Sequence, residues 1–142
     1  MNSKSILAGL NAPQREAVES SRGAFLVVSG PGSGKTHVIV RRIAHLVNSG
    51  IPAWKMIAIT FTNKAAEELR KRLGDLLSPE DTKAVWAKTF HATCLAMLRR
   101  DADGFESFRK RGLRQDFTVW GERESWAALR QVVKEVPDGD MI

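Results

Sequence analysis

Near the N-terminus, a glycine-rich turn separates an apolar run from a helix-like segment. The apolar run covers residues 24–28, the turn covers residues 29–34, and Lys35 and Thr36 begin the helix-like segment. Glycines lack a Cβ, so the backbone N–H groups of such a turn can converge on one anion. The N-terminus of the following helix adds unpaired donors and the positive end of its dipole. A strand, a glycine-rich turn and a helix in this order predict a cradle for the phosphates of a nucleoside triphosphate.

The side chains of this segment have separate expected roles. The Lys35 ammonium is predicted to lie against the β- and γ-phosphates, and the Thr36 hydroxyl is predicted to ligate Mg²⁺, which makes these two the candidate catalytic residues. Ser29 stands where the strict pattern has glycine, while Gly30, Gly32, Gly34, Lys35 and Thr36 match a glycine-rich phosphate-binding turn. An ordinary glycine-rich turn is the alternative interpretation. The predicted nucleotide contacts in this segment are Ser29, Gly30, Pro31, Gly32, Ser33, Gly34, Lys35, Thr36 and His37.

Composition limits the class of protein. The chain has 142 residues, 43% hydrophobic and 27% charged, with no apolar run of membrane-spanning length and no signal-peptide core in the first ten residues. A single cysteine, Cys94, excludes an internal disulfide. These features predict a soluble, cytoplasmic, globular protein. The net charge of +6 and the pI near 9.9 permit nucleic-acid binding without requiring it.

The apolar pattern predicts alternating strands and helices. We expect strands over residues 24–29, 56–60 and 84–88, and helices over residues 11–21, 37–48, 63–77 and 90–100. Asn11 and Gln14 have capping-box spacing, and Gly50 suits a left-handed C-cap. The runs 24–29 and 56–60 read as buried strands, and 56–60, which shows no alternation, suits a sheet covered on both faces. The element order predicts a parallel, right-handed α/β sheet.

Finer expectations follow from the same pattern. Asn63 is expected to cap the helix 63–77, and residues 78–81 are expected to form a turn. The inward stripe of the helix after Thr36 is expected to be Val38/Ile39, Ile43 and Leu46/Val47. The remainder reads as a loop at 101–104, a basic segment at 105–114, a strand-like segment at 117–120 and an amphipathic helix at 125–136.

Three further segments carry a family resemblance. Residues 10–18 precede the phosphate turn, residues 59–66 follow the second predicted strand, and residues 88–92 follow the third. Together with residues 30–36, they resemble the N-terminal part of the UvrD/Rep/PcrA helicases of superfamily I. The resemblance implies a P-loop NTPase (RecA-like) parallel sheet with flanking helices, incomplete and lacking downstream strands. It also implies that residues 1–104 belong to an ATP-binding motor domain and that residues 105–142 begin an inserted helical subdomain.

The resemblance also assigns roles to residues. Gln14 matches the adenine-reading glutamine, whose amide suits the N6 and N7 edge of the base, although it could be a helix cap only. His37 stands where the family usually has an arginine near the nucleotide. Contacts to single-stranded DNA are implied for Phe61, Thr62, Asn63, Thr89, Phe90 and His91. The alternative for Phe61 and Phe90 is core packing beneath these loops.

The implied activity is that of an ATP-dependent DNA helicase using ATP and Mg²⁺. Hydrolysis needs an acidic pair at the end of a buried strand. Glu80-Asp81 falls in a predicted turn and Asp138 and Asp140 fall in a polar tail, so we expect these 142 residues alone to lack turnover. Two alternatives stay open, namely a truncated module that only binds nucleotide or DNA, and a small P-loop kinase.

Overall fold

The computed structural model describes residues 6–20 and 23–135. The chain divides into two compact units, residues 1–95 and residues 96–142. Every residue predicted to contact nucleotide or DNA lies in the first unit. Within the described ranges, no helix is both long and apolar enough to cross a membrane.

Helix α1 (Ala12–Glu19) begins with the predicted capping box. The Asn11 side chain accepts from the Gln14 N–H at 2.9 Å, and the Gln14 side chain accepts from the Asn11 N–H at 3.2 Å. Two of the unpaired N–H groups at this terminus are thereby satisfied. The helix ends at Glu19, two residues before the predicted end.

Helix α2 (Lys35–Asn48) follows the glycine-rich turn, as the sequence predicts. Gly34 precedes it with a φ of +85°, and Gly50 lies beyond its end with a φ of +89°, both in the left-handed region that favours glycine. Val38 and Ile43 are buried as predicted, but Val40 takes the buried position expected for Ile39, which is half exposed. The expected stripe was wrong by one residue at that point.

A parallel pair of strands, β1 (Ile57–Thr60) and β2 (Trp86–Thr89), forms the sheet of the first unit. Helix α3 (Asn63–Gly74) follows β1, the short helix α4 (Pro79–Ala84) precedes β2, and α5 (Phe90–Asp101) follows β2. A core between one sheet face and the helices α2 and α3 is formed by Val40, Ile43, Ala53, Met56, Ala58, Leu69, Leu73, Val85 and Ala87. The α/β class and the parallel pairing are confirmed.

The predicted buried strand over residues 24–29 is wrong. The segment has no regular secondary structure and pairs with no strand among the described residues, and Leu26 and Val28 are 89% and 84% exposed. A buried strand needs ladder partners for its N–H and C=O groups on both sides. Here β1 and β2 pair with each other, and the segment joins neither. Its Phe25 ring instead lies beneath the Arg42 guanidinium, 5.3 Å from ring centroid to Cζ.

Three smaller expectations were also wrong. The sheet is covered on one face only, because Ile57 and Ile59 on the other face are half exposed. Residues 78–81 form the start of α4 rather than a simple turn, with the Ser78 hydroxyl accepting from the Asp81 N–H. Thr62 rather than Asn63 caps α3, since its hydroxyl oxygen accepts from the Ala65 N–H at 3.1 Å.

The cap on α3 gives a stability prediction. Thr62→Ala should lower the free energy of unfolding by about 1 kcal/mol, because the Ala65 N–H loses its acceptor. Thr62→Ser keeps a hydroxyl at the same position and should lose much less. Urea unfolding followed by circular dichroism measures both, and an equal loss in the two variants would show that the hydroxyl does not act as a cap.

The second unit contains two described helices beyond α5, namely α6 (Glu106–Lys110) and α7 (Glu122–Glu135). Residues 102–104 form a 3₁₀ turn in place of the predicted loop. Residues 117–120 are not a strand, which corrects the prediction, because they have no strand to pair with among the described residues. The Phe117 ring packs edge-on against Phe108 with 5.8 Å between centroids. The predicted amphipathic helix is confirmed as α7, except that Val136, like Asp138 and Asp140, lies outside the described residues.

Candidate functional site

The glycine-rich turn, residues 29–34, is called the phosphate loop from here on. Its main-chain carbonyls are engaged by nearby side chains. The Lys35 ammonium donates to the carbonyls of Ser29 at 3.0 Å and Gly30 at 2.6 Å, and the Ser33 hydroxyl donates to Gly30 at 2.6 Å. Gly32 and Gly34 both have positive φ, which lets the loop curl tightly. The Lys35 charge thus lies at the mouth of a turn that begins a helix.

The N-terminus of α2 is open to an anion. Its cap residue, Gly34, has no side chain to accept from the first N–H groups, and the first turn contains no acidic residue. Unpaired N–H groups and the helix dipole attract negative charge to such a terminus. The Thr36 hydroxyl is exposed beside them and is the one predicted metal ligand. The described residues contain no cluster of three or more His, Cys, Asp or Glu side chains that could hold a metal.

Gln14 connects α1 to the phosphate loop. Its Nε2 donates to the Ser33 carbonyl at 3.1 Å, while its Oε1 remains in the capping box. A cleft of about 180 Å³ lies between α1 and the loop, with Gln14 in its wall. Pro13, Val27 and Val28 also line this cleft and were missed by the sequence analysis, which had placed residues 24–29 inside a sheet. The signal that could have found them is the apolar run that closely follows the glutamine segment in the sequence, because together the two segments can form an apolar wall.

His37 lies in the first turn of α2 and is partly buried. Burial lowers the pKa of its imidazole below the ordinary value, and the positive charges of Arg41 and Arg72 lower the pKa further. The ring therefore stays neutral to a lower pH than an ordinary histidine. At neutral pH it offers an uncharged nitrogen beside the loop, whereas the helicases that the sequence resembles usually have a charged arginine at this position.

The predicted DNA-contacting residues meet at one edge of the sheet. Thr60 and Thr89 are directly paired across β1 and β2, so the residues after each strand emerge side by side. Phe61 is 99% exposed and Phe90 is 59% exposed, which excludes core packing within the described part of the chain. The His91 ring stands edge-on to Phe90, 5.9 Å between centroids. This edge, residues 61–63 and 89–91, is called the aromatic edge below.

The threonines of the aromatic edge cap helices. The Thr62 hydroxyl accepts from Ala65 N–H, and the Thr89 hydroxyl accepts from Ala92 N–H at 3.3 Å. Each hydroxyl still carries its own proton, which can be donated to a phosphate oxygen. Asn63 is exposed at the first helical position. No hydrogen bond or ring contact among the described residues joins the phosphate loop to the aromatic edge.

Comparison with known proteins places this geometry in context. A family model described as the UvrD/REP helicase N-terminal domain matches residues 10–140. The chain is 38% identical to the ATP-dependent DNA helicase PcrA of Leuconostoc citreum over 137 residues, which is 96% of this chain and 18% of that protein. It is 37% identical to the PcrA helicase of Bacillus subtilis over 134 residues, 94% of this chain and 17% of that protein. The chain therefore spans less than a fifth of the length of these relatives.

Proposed function

This chain belongs to the UvrD/REP helicase N-terminal domain family, and we propose that it is the ATP-binding and single-stranded-DNA-contacting N-terminal portion of an ATP-dependent DNA helicase. The whole enzyme would translocate along or unwind DNA, in repair or replication, in the reducing cytoplasm that the lone Cys94 suits. The observation that carries the proposal is the Lys35 ammonium at the mouth of the phosphate loop, at the open N-terminus of α2.

The binding of ATP is supported by the chemistry of the phosphate loop. A triphosphate is a stronger partner for the Lys35 ammonium than the two neutral carbonyls that it contacts in this structure, because the bond becomes charge-assisted. The N–H groups at the start of α2 have no competing side-chain acceptor. The cleft beside Gln14 is also lined by Ser33 and Lys35, so it adjoins the proposed triphosphate site and can receive the base.

Magnesium fits the site through one protein oxygen. Mg²⁺ keeps several waters and is commonly held by one or two protein ligands together with substrate phosphates. The exposed Thr36 hydroxyl, beside the loop, provides such an oxygen. When bound, the ion neutralises charge on the phosphates.

Contact with single-stranded DNA is supported by the aromatic edge. An exposed aromatic ring is a stacking platform for any base, and hydroxyl groups and helix N-termini suit the backbone phosphates. Phe61, Thr62 and Thr89 supply these groups within a few residues of two paired strand ends. The kinase alternative offers no use for an exposed phenylalanine here, and the family membership disfavours it.

We propose further that these 142 residues bind without turnover. Glu80 and Asp81 lie in the first turn of α4, where the Ser78 hydroxyl donates to the Asp81 carboxylate at 3.0 Å. Both carboxylates lie at the N-terminus of a helix, where negative charge is favourable, and neither directly follows a strand. A water-activating pair at the nucleotide would have to come from elsewhere in the enzyme.

Titration calorimetry with ATP and Mg²⁺, and fluorescence anisotropy with a labelled oligothymidylate, test the two binding activities separately. We expect saturable ATP binding and salt-sensitive DNA binding. Absence of ATP binding by the folded protein would overturn the nucleotide assignment. DNA binding without ATP binding would then support the alternative in which the chain is a truncated module that only binds DNA.

Base choice is a separate prediction. Gln14→Ala should lower the preference for ATP over GTP by roughly threefold to tenfold, about what one neutral hydrogen bond contributes. Calorimetry with ATP, GTP and CTP measures it. Equal weakening of all three nucleotides, or of none, would show that Gln14 does not read the base.

A further inference from the structure

Both polar groups of the Gln14 side chain are engaged inside the protein. Its Oε1 accepts from the Asn11 N–H, which closes the capping box of α1. Its Nε2 donates to the Ser33 carbonyl at 3.1 Å, 19 residues further along the chain. The second bond contributes nothing to the cap, because it leaves the helix and reaches the phosphate loop.

The bond to Ser33 fixes the orientation of one peptide group. The described residues contain no cis peptide bond. In a trans peptide, the carbonyl and the following N–H point in opposite directions. Since the Ser33 carbonyl points toward Gln14, the Gly34 N–H points away from Gln14. No backbone acceptor among the described residues takes this N–H, which therefore remains available to a ligand.

The contact between Gln14 and the loop is close at Gly34. A Cβ added at Gly34 would lie 3.2 Å from the Gln14 Nε2, and the φ of +85° at this residue favours glycine in any case. The loop and the Gln14 amide are therefore packed against each other as well as hydrogen-bonded.

An anion-binding turn must turn its carbonyl oxygens aside and leave its N–H groups free. In the phosphate loop, Lys35 engages the carbonyls of Ser29 and Gly30, and Gln14 engages the carbonyl of Ser33. Lys35 has to move toward a bound phosphate, whereas Gln14 is held in place by the cap of α1. Gln14 is thus the fixed support of the loop.

We propose that Gln14 is a positioning residue for the phosphate loop, holding the Ser33–Gly34 peptide so that the Gly34 N–H donates to a bound phosphate. This inference rests on the proposed nucleotide binding and adds to the role of Gln14 at the base. The two roles are compatible, because the amide has a second N–H and its oxygen a second lone pair.

A ligand without a base separates the two roles. Gln14→Met, which is uncharged and similar in length, should weaken binding of inorganic tripolyphosphate about threefold to tenfold in calorimetry, the loss of one supporting hydrogen bond. The matched control is Asn11→Ala, which removes the other half of the capping box but keeps the Gln14 donor, and should bind tripolyphosphate like the wild type. Thermal unfolding of each variant checks that it is folded.

Amide NMR gives a second measurement, the response of the Gly34 amide proton to tripolyphosphate. This response would not depend on Gln14 if Gln14 only stabilised the fold. On titration with tripolyphosphate, the Gly34 amide proton should shift downfield, and Gln14→Met should reduce that shift. Unchanged tripolyphosphate affinity in folded Gln14→Met, equal weakening in Asn11→Ala, or a Gly34 amide that does not respond in the wild type would overturn the positioning role alone. A wild type that binds neither ATP nor tripolyphosphate would overturn the proposed function and this inference together.

Discussion

Lys35→Ala is expected to lower the affinity for ATP by roughly 10- to 150-fold, which corresponds to about 1.5–3 kcal/mol of binding free energy. The reason is the loss of a charge-assisted bond to phosphate. In this structure the same ammonium contacts the carbonyls of Ser29 and Gly30, so it already lies at the loop from which it would move to a bound phosphate. Titration calorimetry with ATP in the presence of Mg²⁺ measures the effect.

A charge-matched control separates local contact from general electrostatics. Lys83→Ala removes one positive charge from an exposed position on α4, so it changes the net charge by the same amount. Its ATP affinity should stay close to that of the wild type, because Lys83 makes no contact with the loop or its cleft and the field of an exposed charge is screened by salt. Similar losses in the two variants, or no loss in Lys35→Ala, would show that Lys35 does not contact phosphate.

Helices were predicted well because their signals are local. The capping box of Asn11 and Gln14, and the left-handed glycine at position 50, are properties of a few neighbouring residues. The periodic apolar residues of α3, Ala66, Leu69 and Leu73, are buried as their spacing predicts. Boundaries were off by a few residues at several ends, since fraying and caps decide them.

The strand prediction over residues 24–29 failed because strand formation is not local. An apolar run can extend without pairing, and its pairing depends on strands far away in the chain. The apolar run within residues 24–29 therefore does not by itself indicate whether a partner strand lies beside it. For β1 and β2 the partners are each other, and there the prediction of parallel pairing was correct.

The candidate site was predicted in its residue types and less well in its contacts. Residues 61–63 and 89–91 each follow a predicted strand, and the pairing of Thr60 with Thr89 brings the two segments to the same end of the sheet. The bond from Gln14 to the Ser33 carbonyl was not foreseen. Its acceptor is a backbone atom, which every residue has, so no sequence pattern marks it.

Phe61→Ala is expected to weaken binding of single-stranded DNA by about 1–3 kcal/mol, the range for loss of one stacked base. Phe61 is 99% exposed, so its removal costs no core packing and should leave the unfolding midpoint unchanged. The ring carries no charge and displaces no counterions from DNA. The slope of log affinity against log salt should therefore be the same in the variant and the wild type.

Trp54→Ala is the matched control, because Trp54 is also an exposed aromatic residue of the first unit, 65% exposed, with the Lys55 ammonium 5.2 Å from its ring. It lies in the turn before β1, at the opposite end of that strand from Phe61, and its removal should leave DNA affinity unchanged. Fluorescence anisotropy with a labelled oligothymidylate over a salt series compares the three proteins. If folded Phe61→Ala binds DNA as tightly as the wild type, or if both variants weaken equally, the aromatic edge is not a base-stacking site and the DNA contact must be sought on another surface.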